Sequence, residues 1–374
     1  MPGPFAPIDR LIAAPHPLRR LPRWAAALVL LAFALAIAWA ALGQGVSPAS
    51  RASSAVAPAQ AASAAPPTDG DLALYRRINA RVRGGEGYYA AAVAEQRAAN
   101  YPTRPFYTVR LPTMAWISAR LGERAWQALA VLLLIANALA WTVALREGTR
   151  LFERLGVAVL VMLGGAGALT EQAGLFHDLV TGLLLSLALA LYRPARWWPS
   201  LVLLALALAL RELALPFALL WLAFAVMQNR PREGLALIAL LAAYSLALAA
   251  HGHAVEALLL ASDPPSQGWS GLGGVPLFAG AVARLTGLLL LPPALGAALA
   301  VLPMLGWLAP GGRTGTFAVL LFSGYALAIG LFARPENFYW ALLVLPAYAA
   351  GLAFVPRALA DLGRALSAAK ETRI

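Results

Sequence analysis

The chain has 374 residues, of which 61% are hydrophobic, only 12% are charged and none is cysteine, and its mean hydropathy is +0.71. So few charges do not cover the surface of a soluble globule of this size, and the lack of cysteine removes disulfides, thiolate metal sites, iron–sulfur clusters and cysteine nucleophiles. The formal charge of +12, from 29 Lys+Arg against 17 Asp+Glu, sits almost wholly between apolar runs, which reads as a set of topology signals and argues against a nucleic-acid partner.

In chain order, Arg10, Arg19, Arg20 and Arg23 precede an apolar run over 24–42. A signal peptide shares this arrangement, but the run is near spanning length and no convincing Ala-x-Ala cut follows. The expectation is a cytoplasmic segment over 1–23 and a first transmembrane helix over 24–43. A long outer, periplasmic loop then covers 44–124. Its first part, 44–70, is rich in Ala, Ser and Pro and reads as a linker or as a compact loop packed over the bundle. The stretches 71–83 and 86–100 have helical spacing with mixed polar and aromatic residues, divided by Gly84-Gly85 and closed by Tyr101-Pro102, so two amphipathic juxtamembrane helices are expected there.

The transmembrane bundle is expected over 125–356, with spans near 125–145, 155–170, 176–192, 197–212, 213–228, 235–250, 290–309, 314–332 and 338–356, about ten in all with the first. A cytoplasmic tail covers 357–374. This parity puts Arg146, Arg150, Arg154, Arg193, Arg196, Arg230, Arg232 and Arg313 inside, together with Arg357, Arg364, Lys370 and Arg373 of the tail, as the excess of basic residues in cytoplasmic loops requires. It also requires 275–290 to be interfacial or re-entrant. The fold expected is thus an all-α, polytopic transmembrane helical bundle. No internal repeat is visible, which counts against a carrier built from inverted halves.

Four groups of polar residues fall at the outer face in this topology. The first holds Asp69, Asp71, Tyr75, Arg76, Arg77, Glu86, Tyr88, Tyr89, Arg104 and Arg110; the second Glu171, His177 and Asp178; the third Arg211 and Glu212; the fourth Arg334, Glu336, Asn337 and Tyr339. A shared outer-face cavity is the economical explanation. An acid beside arginines in such a place accepts a proton from a sugar hydroxyl while the guanidiniums hold a departing phosphate.

Each group also has a plain structural reading. Asp71 and Glu86 each open a helix, where a carboxylate caps free backbone N–H groups. Tyr88 and Tyr89 stack on a sugar or prenyl chain, or belong to an interfacial aromatic belt. Arg211 and Glu212 interrupt the apolar run 201–224, a costly placement unless the pair is hydrated, paired or functional, and a turn between two short spans is the alternative. Glu171, His177 and Asp178 have the donor types of a divalent-metal site, although 171 and 177 do not share one helix face. His251 and His253 read as exposed residues at the end of a span. Pro335, Glu336 and Trp340 suit a helix start at an interface, whereas Arg334, and more weakly Arg284, read as binding phosphate or a headgroup. The Gly164-Gly165 and 271–274 stretches are not phosphate loops, since no following GKS or GKT and no preceding strand pattern accompanies them. An activated sugar donor would therefore be lipid-borne.

One amino-terminal span, a long outer segment opening near an acid and holding two juxtamembrane helices, and then many spans: this layout resembles the GT-C superfamily of integral membrane glycosyltransferases. The resemblance is carried by Asp71-Leu72-Ala73-Leu74-Tyr75, Gly85-Glu86-Gly87-Tyr88-Tyr89, Tyr101-Pro102-Thr103-Arg104-Pro105 and Arg110-Leu111-Pro112-Thr113. The Arg211-Glu212-Leu213-Ala214-Leu215-Pro216 stretch and the 334–340 run look like features of a bacterial branch. The resemblance implies a multi-pass enzyme of the bacterial inner membrane that moves a sugar, with inversion, from a polyprenyl phosphate donor to a lipid, glycan or other cell-envelope acceptor, in some members with a divalent metal, Mg or Mn. It implies that the first outer loop carries the catalytic acid, which is Asp71, Glu86 or Asp69; the loop opens with Asp69-Gly70-Asp71 where the family has an adjacent acidic pair. Arg211, Arg334, Arg104 and Arg110 are the candidates for the donor phosphate. Tyr75, Tyr88, Tyr89, Glu212, Glu336, Asn337 and Tyr339 would line the pocket, and Glu171, His177 and Asp178 would shape it or hold the metal. The lack of a large carboxyl-terminal soluble domain argues against recognition of protein sequons. The other readings of the chain are a lipid or solute transporter, which also needs polar residues in an apolar bundle, and a non-catalytic scaffold for envelope machinery.

Overall fold

The computed structural model describes residues 14–44 and 70–367. Among these residues the chain forms fifteen α-helices joined by 3₁₀ turns, with extended pairing limited to two isolated bridges, Pro15 to Gly311 and Arg104 to Pro265. The first helix, α1 (Arg23–Gly43), coincides with the expected first span; it buries Ala26 and Ala40 and leaves Leu28, Leu31, Leu35 and Trp39 more than half exposed. In water that stripe would be an aggregation surface, whereas against hydrocarbon it is a lipid-facing wall.

Two helices follow where the spacing places them, α2 (Gly70–Arg83) and α3 (Tyr88–Ala98), with the chain reversing through Gly85 at φ +95°, a conformation that glycine adopts without strain. With α4 (Thr113–Leu121) they build a cap whose apolar core includes Leu74, Ile78, Tyr88, Val93 and Val109 and is separate from the core of the bundle.

The bundle consists of α5 (Glu123–Ala144), α6 (Leu151–Gly164), α7 (His177–Leu191), α8 (Trp198–Leu210), α9 (Leu215–Met227), α10 (Pro231–Glu256), α11 (Gly274–Arg284), α12 (Pro293–Trp307) and α13 (Gly312–Phe332), followed by α14 (Leu345–Ala349) and α15 (Val355–Ser367). Its centre is α7, in which every residue except Leu191 is buried. An apolar helix with no polar face is stable only when surrounded, and α7 packs on α5, on α8 and on the 3₁₀ segment Pro335–Leu343. The last of these contacts requires Gly182, because a Cβ there would overlap the Leu342 carbonyl oxygen.

The ten expected spans are met in part. Among the described residues four helices, α1, α5, α10 and α13, are long and apolar enough to cross a membrane, and Pro335–Leu343 with Leu345–Ser367 makes a fifth only as a pair bent by 74°. The single span expected over 338–356 is therefore a broken run of 3₁₀ and α turns. The helices α7, α8, α9 and α12 have 13 to 15 residues, about 20–22 Å at 1.5 Å per residue, against a hydrocarbon core of about 30 Å. At 11 residues α11, in the stretch expected to be interfacial or re-entrant, is too short to cross. The tail begins as α15, which buries Ala358, Asp361, Leu362 and Ala365 and packs on α1 and α12. The linker over 45–69 and the last tail residues lie outside the described chain.

Candidate functional site

The functional candidates converge at the break between α8 and α9. Arg211 caps α8 in an extended conformation, φ −153° and ψ 122°, while its backbone N–H still donates to Ala207 at 2.9 Å. Its side chain is 1% exposed. The Nε donates to Asp178 Oδ1 at 2.9 Å, and Nη1 donates to Glu212 Oε1. Asp178 lies in the first turn of α7, where the positive end of the helix favours a carboxylate.

From this pair a chain of polar contacts runs into the cap. Arg110 Nη1 lies 3.8 Å from Glu212 Oε1, and Arg110 Nε donates to the Tyr75 hydroxyl at 3.0 Å. Its Nη2 donates to the Tyr339 hydroxyl at 3.5 Å, which also accepts from Asn337 Nδ2 at 3.4 Å. Tyr88 donates to the Arg110 carbonyl at 2.6 Å. The Tyr75 ring meets His177 edge-on at 5.0 Å, and His177 Nδ1 lies 3.2 Å from the Leu175 carbonyl. Asp71 lies close enough to the Tyr101 hydroxyl to act on it electrostatically. Two guanidiniums thus face two carboxylates at the heart of the cluster, and the pairing makes the burial of Arg211 and Asp178 tolerable.

Burial pushes the Tyr75 phenol above its ordinary range; Arg110 opposes that rise and Asp71 adds to it. Burial, then the neighbouring Asp71 carboxylate, raises Tyr101. Both phenols stay protonated at neutral pH and act as hydrogen-bond donors.

The structure joins the four sequence groups selectively. Asp71, Tyr75, Tyr88, Arg110, His177, Asp178, Arg211, Glu212, Asn337 and Tyr339 belong to the cluster. Glu86 instead takes two bonds from Arg81, at 2.6 and 2.7 Å, in a network where Glu95 bridges Arg77 and Arg81 at 2.9 and 3.0 Å. Tyr89 lies 3.3 Å from His251 Nδ1, and His251 is buried with Nε2 at 3.1 Å from the Val109 carbonyl, so it is not the exposed residue expected. Arg104 donates to the Leu260 carbonyl at 2.6 Å, and Arg334 donates to Gln267 at 2.9 Å and pairs with Glu336 at 3.3 Å. Arg284 lies 3.9 Å from the centre of the Phe338 ring, a cation–π contact. Asp69 lies outside the described residues.

Glu171, His177 and Asp178 do not assemble as a metal site. Glu171 is exposed, Asp178 is engaged by Arg211, and among the described residues no three His, Asp or Glu side chains are grouped to hold a cation. Tyr101, read from sequence as the residue closing a helix pair and as part of the 101–105 stretch that carries the resemblance, was not among the candidate site residues.

Tyr75, Asn79, Arg110, Met114 and His177 line a cavity between cap and bundle with room for little more than one water. A scan against protein-family models finds no match for the chain, and neither do searches of curated proteins and of solved structures. Function has to be argued from the site alone.

Proposed function

We propose that the protein is a GT-C-type glycosyltransferase of a bacterial inner membrane, moving a sugar from a polyprenyl phosphate to a lipid, glycan or other cell-envelope acceptor at the outer face. The observation that supports this reading is the polar cluster itself: five sequence-distant segments bring Asp71, Arg110, Asp178, Arg211, Glu212 and Tyr339 together at one end of an apolar bundle. Ionised groups in such surroundings are rare without a functional reason.

The geometry divides the roles. Arg211 is bonded to Asp178 and Glu212 and almost wholly buried, so it is a positioning residue that holds Glu212 beside Arg110. Arg110 spends two of its five N–H donors on tyrosine hydroxyls and is the better phosphate ligand, with Arg334 and Arg104 farther out on the loops. Asp71, beside Tyr75 and Tyr101, is the base. It takes the proton of the acceptor hydroxyl as the acceptor oxygen bonds the anomeric carbon; the bond from that carbon to the phosphate oxygen breaks on the opposite face, and its electron pair leaves with the lipid phosphate, whose charge Arg110 takes up. Glu86, held by Arg81, fits the closure of the α2–α3 hairpin better than catalysis. Substrate entry requires the cap to part from the bundle along the Tyr75–Arg110–Tyr339 seam, because the cavity there is water-sized.

The test is transfer of labelled sugar from a panel of polyprenyl-phosphate donors by the purified protein in lipid. Asp71→Asn is expected to lower turnover by about 10²- to 10⁴-fold with donor binding retained, Arg110→Gln to weaken donor binding as well, and Glu86→Gln to leave both near wild type. Full turnover in Asp71→Asn removes the base assignment. Lipid or solute flux across vesicles, with no transfer from any donor, replaces the enzyme by a transporter.

A further inference from the structure

Arg110, given the donor phosphate in the proposed reaction, is held by no helix. It stands between the 3₁₀ turn Phe106–Thr108 and α4, where no ladder of backbone bonds fixes the direction in which its side chain leaves the chain. Two other side chains take over that task. The Arg110 carbonyl accepts from the Tyr88 hydroxyl at 2.6 Å, and the carbonyl of Val109, in the peptide unit that leads into Arg110, lies 3.1 Å from Nε2 of His251. The peptide planes on both sides of the Arg110 Cα are therefore pinned. Tyr88 belongs to the cap, whereas His251 comes from α10, a helix long and apolar enough to span, so the second contact ties Arg110 to the bundle.

The surroundings of His251 are not those of a residue kept for packing alone. It is 2% exposed and its ring lies 5.5 Å from that of Tyr89 and 6.0 Å from that of Phe106, centre to centre. An apolar side chain would fill such a place without the desolvation cost of two ring nitrogens. Both nitrogens are used. A carbonyl only accepts, so Nε2 carries the proton toward Val109, and Nδ1 accepts from the Tyr89 hydroxyl, 3.3 Å away. The helix around the ring is fitted for the same contact. Gly252 brings α10 against Phe106, whose ring would lie 3.4 Å from a Cβ at that position, and Val255, one turn on, is fully buried in the apolar core of the cap.

We propose that His251 is a positioning residue for donor binding: by holding the Val109 carbonyl it sets the backbone from which Arg110 reaches the seam, where Arg110 bonds Tyr75 and Tyr339. This role rests on the reading of Arg110 as the phosphate ligand. His251 itself touches neither donor nor acceptor and acts through the arginine.

The experiment measures sugar transfer from polyprenyl-phosphate donors by the full chain in lipid nanodiscs, with hydrogen exchange of the 104–112 peptide followed on the same samples. His251→Leu keeps an apolar filling but offers the Val109 carbonyl no donor. It should raise the KM for donor about two- to tenfold, the worth of one net hydrogen bond, with little change in kcat. His251→Gln is the rescue, because its amide nitrogen reaches the place of Nε2, and it should recover most of the lost affinity. His251→Asn reaches only the place of Nδ1 and should behave like the leucine variant, which it replaces if His251→Leu lowers the yield of folded protein. In an Arg110→Gln background His251→Leu should change KM no further, since the arginine it positions is gone. Exchange in 104–112 should be faster in the leucine and asparagine variants and recover in the glutamine variant. A KM effect of equal size with and without Arg110, equal losses in the glutamine and asparagine variants, or a wild-type KM in both the leucine and asparagine variants overturns the proposal. Should the wild type transfer sugar from no donor, the glycosyltransferase reading fails by itself; the hydrogen exchange then decides whether His251 holds the 106–110 segment, and unchanged exchange in both the leucine and asparagine variants overturns that as well.

Discussion

The ion pair between Asp178 and Arg211 is the most demanding test of how the site is held. Arg211 is 1% exposed and Asp178 5% exposed, and the guanidinium also serves Glu212. Asp178→Asn would leave Arg211 and Arg110 sharing one carboxylate. Arg211→Met would leave Asp178 and Glu212 with only Arg110, 3.8 Å from Glu212. Unit charges about 4 Å apart attract by about 4 kcal/mol at an effective dielectric of about 20, and removing one partner of a buried pair costs about 3–5 kcal/mol. Each single variant should therefore shift the unfolding equilibrium by about 10²- to 10⁴-fold. The double variant should cost less than the sum of the two by about 0.5–3 kcal/mol, because neither charge is then left facing an empty place. The assay is reversible unfolding of the detergent-solubilised protein in a mixed-micelle titration, comparing midpoints at equal slope. A wild-type midpoint for Arg211→Met, or strict additivity in the cycle, would refute the reasoning that Asp178 and Arg211 are a buried, mutually dependent pair.

Three further outcomes follow from individual contacts. Arg97 donates to Asp263 at 2.5 and 2.9 Å, and the Leu260 N–H adds a third bond, which holds the Asp263 carboxyl well below the usual carboxylate range. Because the folded value is the lower one, this stabilisation is complete above the unfolded value of about pH 4 and is lost only as pH falls through the depressed folded value; hydrogen exchange in the 258–266 loop, corrected for its intrinsic rate, should thus be flat from neutral to about pH 4.5, and faster at every pH in Arg97→Gln. Gly182→Ala should destabilise by about 1–3 kcal/mol, since its Cβ would overlap the Leu342 carbonyl; an unchanged midpoint means that α7 and the 335–343 segment are not in close contact. Tyr88→Phe leaves the Arg110 carbonyl without a 2.6 Å donor inside the cap and should cost about 1–3 kcal/mol, read in the same titration.

Spans that stand alone were legible, and those that are broken were not. The helices α1, α5, α10 and α13 coincide with the apolar runs over 24–43, 125–145, 235–250 and 314–332, because a run of about 20 apolar residues sets length and helicity together. The run 338–356 is as apolar as those, yet the chain turns there through a 3₁₀ segment and a 74° bend. Hydropathy measures solvent preference and is blind to continuity, and the features that break the helix, Pro346 and the φ of −117° at Val344, are read only after the neighbouring packing is known.

The site was legible where a charge broke an apolar pattern, and illegible where its partner had to be identified. Arg211 and Glu212 are conspicuous in the run 201–224, but that Arg211 is answered by Asp178, 33 positions earlier, is a property of the packing of α7 on α8. The same limit explains why Asp71 and Glu86 looked alike. Each is an acid opening a helix, and local rules assign both the same cap. What separates them lies across the fold: Asp71 meets Tyr101 and Tyr75 at the seam of cap and bundle, while Glu86 is neutralised by Arg81 within its own hairpin. Likewise Glu171, His177 and Asp178 have the donor types of a metal site, but Asp178 is already committed to a guanidinium. For an ionisable group in an apolar bundle, the side chain opposite decides whether it binds, reacts or merely balances charge, and sequence spacing narrows the choice only when that partner lies on the same helix.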